Sequence, residues 1–131
     1  MNNTTPTVFS LANGQILLLK LLCPMITIQD FQKVELLVAV VKSVEEHPKA
    51  DRLFVLKVDT GGGVEKQLVA GLRGHYAPHE LLGKKVVIVN NLAPATLRGI
   101  ESQGMLLAAQ DGERIVVLTT EKDTSPGATI R

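Results

Sequence analysis

The sequence predicts an all-β architecture in which one small sheet closes into a barrel. Two observations carry that expectation. Short runs rich in Val, Ile and Leu recur between Gly, Pro and Asp turn residues, and the runs at residues 34–44 and 53–59 lack helical periodicity, the second alternating strictly. The segment 78–83 opens on proline and closes on glycine, as a helix of one or two turns between strands does.

In chain order, Thr27-Ile28-Gln29-Asp30 has the hydroxyl-x-x-acid form of a helix start, so a short helix is expected at 28–33, packed as a lid with Phe31 and Val34 turned inward. Residues 34–44 form a long first strand, and a polar loop leads to Pro48. At 53–59, alternation puts Phe54, Leu56 and Val58 on one face and Leu53, Val55 and Lys57 on the other. Gly61-Gly62-Gly63 turns the chain into an answering strand at 66–71. The helix at 78–83 follows, then a strand at 84–89. Residues 90–104 read as a polar loop without a catalytic group, set between apolar strands. Strands at 105–109 and 114–118 meet at the Asp111-Gly112 turn, and Pro126-Gly127 closes a tail able to add a last short pairing. Three early strands, a bridging helix and late strands match a five-stranded Greek-key barrel of the OB type, an OB-fold with short helices and additional C-terminal strands; a sandwich is the alternative.

With 131 residues and 45% hydrophobic content, the chain fits one folded domain. The single Cys23 offers no internal disulfide, which makes the cytoplasm the expected compartment. The apolar run at 16–22 is broken by Lys20 and has no basic flank, so neither a signal peptide nor a membrane span is expected. A net charge of +1 gives no global basic signature, but Lys66, Arg73, Lys84, Lys85 and Arg98 face only Glu80 across one segment.

Catalysis finds no constellation. His47, His75 and His79 and the acids scattered across the expected turns form no set held in a pocket; His75 and His79 stand four apart but Pro78 lies between them; Gly61-Gly62-Gly63 lacks the lysine and helix of a phosphate loop; Ser102 lacks the glycine spacing of a nucleophile elbow. No enzyme activity, cofactor or metal is therefore expected. Binding of nucleic acid survives, because cations at strand ends, namely Lys57, Lys66, Lys84, Lys85 and Arg98, can neutralise phosphates. Without Trp and with one Tyr, the chain lacks stacking platforms for single strands, so a folded RNA is the better ligand. Asn91 and Ser102 suit backbone and ribose contacts, and Met105 suits an adaptable apolar one.

The segments Asp30-Phe31-Gln32-Lys33-Val34, His47-Pro48-Lys49-Ala50-Asp51-Arg52-Leu53 and Asn91-Leu92-Ala93-Pro94 through Ser102-Gln103-Gly104-Met105 resemble the tRNA-binding domain found as the appendage of methionyl-tRNA synthetases, in stand-alone bacterial tRNA-binding proteins and in related synthetase cofactors. The resemblance covers residues 25–131 and leaves 1–24 as a leader or upstream extension. It implies recognition of the folded tRNA shape, with Arg52, Asn91, Arg98, Ser102 and Met105 at contact positions; Lys57 and Lys84 join them from the charge argument. It also implies a homodimer acting in trans, as a synthetase β subunit or cofactor, with an aminoacyl-tRNA synthetase as a further partner. The chain departs from the family where further basic residues are frequent, near Ala95, Thr96, Gly74 and Ala77, and it carries Lys49 where asparagine is common. A similar fold occurs in export-related peptide-binding chaperones, which form the alternative, and an adaptor docking to a synthetase without touching RNA is a third reading.

Overall fold

The computed structural model describes residues 24–131, so the expected leader at 1–24 lies outside the described residues but for Pro24. The chain divides into two units, Met1–Lys33 and Val34–Arg131. In the first, helix α1 (Ile28–Gln32) starts at the predicted capping box: Thr27 Oγ1 accepts from the Asp30 N–H at 3.1 Å, and the Asp30 carboxylate accepts from the Thr27 N–H at 3.2 Å. None of its residues is buried, and Phe31 and Val34, expected inward, are exposed.

The second unit is built around strand β1 (Leu36–Glu46), which pairs antiparallel with β4 (Lys85–Val89) along its first half and with β2 (Phe54–Asp59) along its second. The register shifts between Val41 and Ser43, and this bulge bends one strand to serve two sides of a barrel. Strand β3 (Glu65–Ala70) pairs with β2 along its whole length, and β7 (Met105–Leu106) pairs with β4, giving the order β3-β2-β1-β4-β7. This is the expected five-stranded, nearly closed antiparallel barrel. Helix α2 (Pro78–Leu81) bridges β3 and β4 as predicted and drives Leu81 fully into the core beside Leu56, Leu68, Val86 and Ile88.

Alternation holds: Phe54, Leu56 and Val58 point inward while Lys57 is exposed. The outward faces are apolar as well, and Val38, Val55, Val69, Val87 and Val89 are all buried. The tail adds the pairing expected at Pro126-Gly127 along the other edge of the first half of β1: Val38 N–H donates to Ala128 O at 2.9 Å, Gly127 N–H to Val38 O at 2.7 Å, and Ile130 N–H to Leu36 O at 2.9 Å. Lys85 fastens the tail through Asp123 at 2.6 Å. The hydrogen bond and charge of Lys85 hold the Asp123 carboxyl below its ordinary value, so this tie is present above the usual carboxylate range and is lost as pH falls through the lowered value.

Two expectations change. The strand expected at 105–109 is broken at Leu107, where β7 ends; β8 (Ala108–Asp111) leaves the barrel and pairs only with β9 (Arg114–Val117). The polar loop contains a hairpin, β5 (Ala95–Leu97) with β6 (Ile100–Ser102). Its strand residues Ala95, Thr96 and Leu97 are exposed, so no alternating pattern announces them.

Barrel closure falls between β3 and residues 101–104, and side chains carry much of it. Gln103 N–H donates to Gln67 O at 2.7 Å, and Gln103 Oε1 accepts the Gln67 N–H at 2.8 Å. Ser102 Oγ accepts from Val69 N–H at 3.0 Å and donates to Gly104 O at 2.9 Å. Gly104 follows where no side chain fits, since a Cβ there would lie 2.8 Å from Val89 O and 3.1 Å from the Leu68 side chain. Gly104→Ala is expected to destabilise the fold by about 1–3 kcal/mol, measured by urea unfolding; unchanged stability would show that the seam yields freely.

Candidate nucleic-acid interface

The β5–β6 hairpin turns on Arg98-Gly99, whose φ values of 53° and 89° are both positive. That is the pattern of a two-residue type I′ turn, in which the first position is normally Asn, Asp or Gly. An arginine held there carries backbone strain of about 1 kcal/mol or more, the kind of outlier that points to use of the side chain. Arg98 is exposed at the tip.

Both ends of this hairpin are fixed. At the base, Ser102 lies opposite Ala95 and is tied into the seam. Near the tip, the ring of His47, 2% exposed, reaches Leu97 O through Nε2 at 3.0 Å, while its Nδ1 accepts the Lys49 N–H at 2.9 Å. Since Nδ1 is occupied as an acceptor, the ring proton sits on Nε2 and is donated to Leu97. The 47–53 loop is further braced by His47 N–H to Leu53 O at 3.1 Å and by Arg73 N–H to Arg52 O at 3.3 Å. Arg52 and Lys49 are exposed on it, and Arg73 pairs with Glu46 at 3.1 Å. The structure thus links the loops that carry Arg52 and Arg98 through one buried imidazole.

The other expected contacts are distributed. Lys57 lines an outward groove of about 350 Å³ with Glu65, Lys66, Gln67, Glu101 and Gln103. Two lysines there meet two carboxylates, and Lys66 already donates to Asn90 O at 2.7 Å, so the groove is no purely cationic trough. Gln67 joins it to the hairpin by donating to Glu101 O at 2.8 Å. Asn91 and Met105 sit together at the far end of β4, where Met105 pairs with Val89 and Asn91 accepts the Glu35 N–H at 2.8 Å. Met105 is 47% exposed, as an apolar contact requires. Lys84 stands apart at the start of β4, its carbonyl accepting from Val41 N–H at 3.0 Å. Lys85, also considered as a cation for phosphate, is engaged with Asp123. Ser102, expected at the RNA, is 5% exposed, and its hydroxyl both accepts and donates within the chain. Among the described residues, no group of three metal-ligating side chains comes together.

Sequence reasoning set His47 aside as an unsupported acid–base candidate and missed Gln67, Gln103 and the Arg98-Gly99 turn. The turn alone had a local signal, a glycine after a polar residue between short apolar stretches.

The model of the family described as "Putative tRNA binding domain" matches residues 36–129. A methionine–tRNA ligase of Thermococcus kodakarensis is 54% identical over 106 residues, covering 81% of this chain and 14% of that ligase, so the chain spans only a small part of the length of such relatives. Among solved structures, the MetRS-related protein of Pyrococcus horikoshii matches with a TM-score of 0.77 and 31% identity, over 83% of this chain and all of that one. The chaperone CsaA of Bacillus anthracis matches with a TM-score of 0.74 and 27% identity, over 82% of this chain and all of that one.

Ser102→Ala leaves the buried Val69 N–H without its acceptor. A loss of about 1–3 kcal/mol is expected in denaturant unfolding, with faster exchange of the Val69 amide. Full retention of both would contradict the role of the hydroxyl in closure.

Proposed function

The chain belongs to the tRNA-binding domain family, and from that membership we propose that it is a non-catalytic module binding folded tRNA in trans, as a methionyl-tRNA synthetase β subunit or cofactor in the cytoplasm. One observation carries the placement of the interface: Arg52 and Arg98 are exposed on two loops joined by His47. Guanidinium groups on braced loops grip phosphates with little ordering cost on binding. Lys49 and Lys57 extend this surface, and Asn91, Met105 and Lys84 form outlying contacts for a ligand larger than the domain. Ser102 acts indirectly, by fixing the hairpin base.

A folded rather than a single-stranded RNA is supported by the rings. In the barrel unit Phe54 is buried and Tyr76 is half-buried, with its hydroxyl accepting from Val117 N–H at 3.1 Å, so neither is a free platform for bases. Two copies in a homodimer would raise the effective concentration of modest sites. The 54% sequence identity to a methionine–tRNA ligase, against 27% to the chaperone, supports the RNA reading over the peptide-binding one.

A gel-shift series with refolded tRNA, heat-unfolded tRNA and single-stranded DNA tests the proposal. Preference for the folded form, weakening steeply with salt, is expected. Equal binding to all three, or displacement of tRNA by an unfolded polypeptide, would oppose it. Arg98→Ala is expected to weaken binding about tenfold and to lower the salt slope by about one, without loss of thermal stability.

A further inference from the structure

We propose that His47 is a positioning residue for RNA binding, which holds Arg98 at the interface by anchoring the hairpin tip through Leu97. The inference rests on the reading of Arg98 as a phosphate contact.

The hairpin needs such an anchor. It has three residue pairs, Ala95 with Ser102, Thr96 with Glu101 and Leu97 with Ile100, and it forms its own two-stranded sheet apart from the barrel sheet. An isolated hairpin of this size is marginal in water. The arginine conformation at its turn adds strain rather than stability. Ser102 fixes the base through Val69 and Gln67 holds Glu101 O at the middle pair, and nothing in the hairpin pairing itself fixes the tip. The side chain that does so comes from fifty residues earlier in the chain: His47 Nε2 meets Leu97 O, on the residue next to Arg98. The ring is buried, so water competes poorly for that bond.

The two nitrogens of His47 divide the labour, and this makes the idea separable from a simple loop cap. Nδ1 caps the Lys49 N–H within the 47–53 loop, a local role, whereas Nε2 reaches the hairpin. An asparagine side chain can place a polar atom near the Nδ1 position but falls short of Leu97. A glutamine side chain can place its amide N–H near the Nε2 position and lacks the Nδ1 cap.

The test measures binding of refolded total tRNA by filter retention for the full chain and for His47→Gln, His47→Asn, Arg98→Ala and the double variant His47→Asn with Arg98→Ala, with thermal unfolding of each. Glutamine is expected to stay within about threefold of the wild type, asparagine to lose about as much as Arg98→Ala, and the double variant to lose no more than Arg98→Ala alone, the non-additivity of two residues acting through one contact. Equal losses for glutamine and asparagine, or additive losses in the double variant, would overturn the proposal. If the asparagine variant does not fold, the glutamine variant decides: near wild-type affinity supports the anchor, and a tenfold loss in a stable protein overturns it. Nitrogen-15 spectra of the wild-type imidazole give an independent reading, with a slowly exchanging proton on Nε2 expected and a rapidly exchanging one contradicting it. Should Arg98→Ala leave affinity unchanged, the functional reading fails first, and that outcome is distinct from failure of the anchor.

Discussion

Closure of the barrel between β3 and residues 101–104 is the constraint on which the rest depends. Four strands of the sheet pair by continuous antiparallel ladders, bulged once in β1, but β7 is only two residues long and cannot by itself seal the edge of β3. The gap is closed by a set of specific hydrogen bonds in which Gln67 and Gln103 exchange backbone and side-chain contacts and Ser102 substitutes its hydroxyl for a missing carbonyl at Val69. Buried polar groups are costly when unmatched, so this arrangement tolerates few alternatives. Gly104 then lets the backbone approach β4 and Leu68 closely.

The same seam gives the candidate interface its position. A chain that must place Ser102 and Gln103 against β3 has little choice over where the preceding hairpin emerges, and the hairpin base is part of the closure. His47 supplies the opposing hold near the tip, from a loop that also displays Arg52. On the proposed reading stability and recognition are linked, because the residues that finish the barrel also fix the base of the hairpin that carries Arg98. Charge alone would not have located the candidate interface, since Lys66 and Lys85 are spent on Asn90 and Asp123 while Lys57 shares its groove with two glutamates.

Local rules made the barrel legible. The alternation of Phe54, Leu56 and Val58, the proline-to-glycine helix and the capping box at Thr27 all act within a few residues, and the structure places them as expected. What escaped the sequence depends on pairings across long separations. The β5–β6 hairpin is invisible because Ala95, Thr96 and Leu97 bury no face, and its hold comes from His47 and Val69. Ser102 read as a solvent-facing polar residue because nothing nearby reveals that its hydroxyl serves a strand 33 residues earlier. The tail's pairing with Leu36 and Val38 of β1 likewise joins residues some ninety positions apart. Arg98 and Arg52 were legible as cations; their connection through an imidazole was not.

The most direct measurement is hydrogen–deuterium exchange of the full chain, free and saturated with folded tRNA. The account predicts that slowed exchange concentrates in residues 47–53 and 95–102, while the tail at 121–131, on which no contact is placed, is unaffected. Protection centred on that tail, or spread evenly over the barrel with the hairpin unchanged, would contradict it.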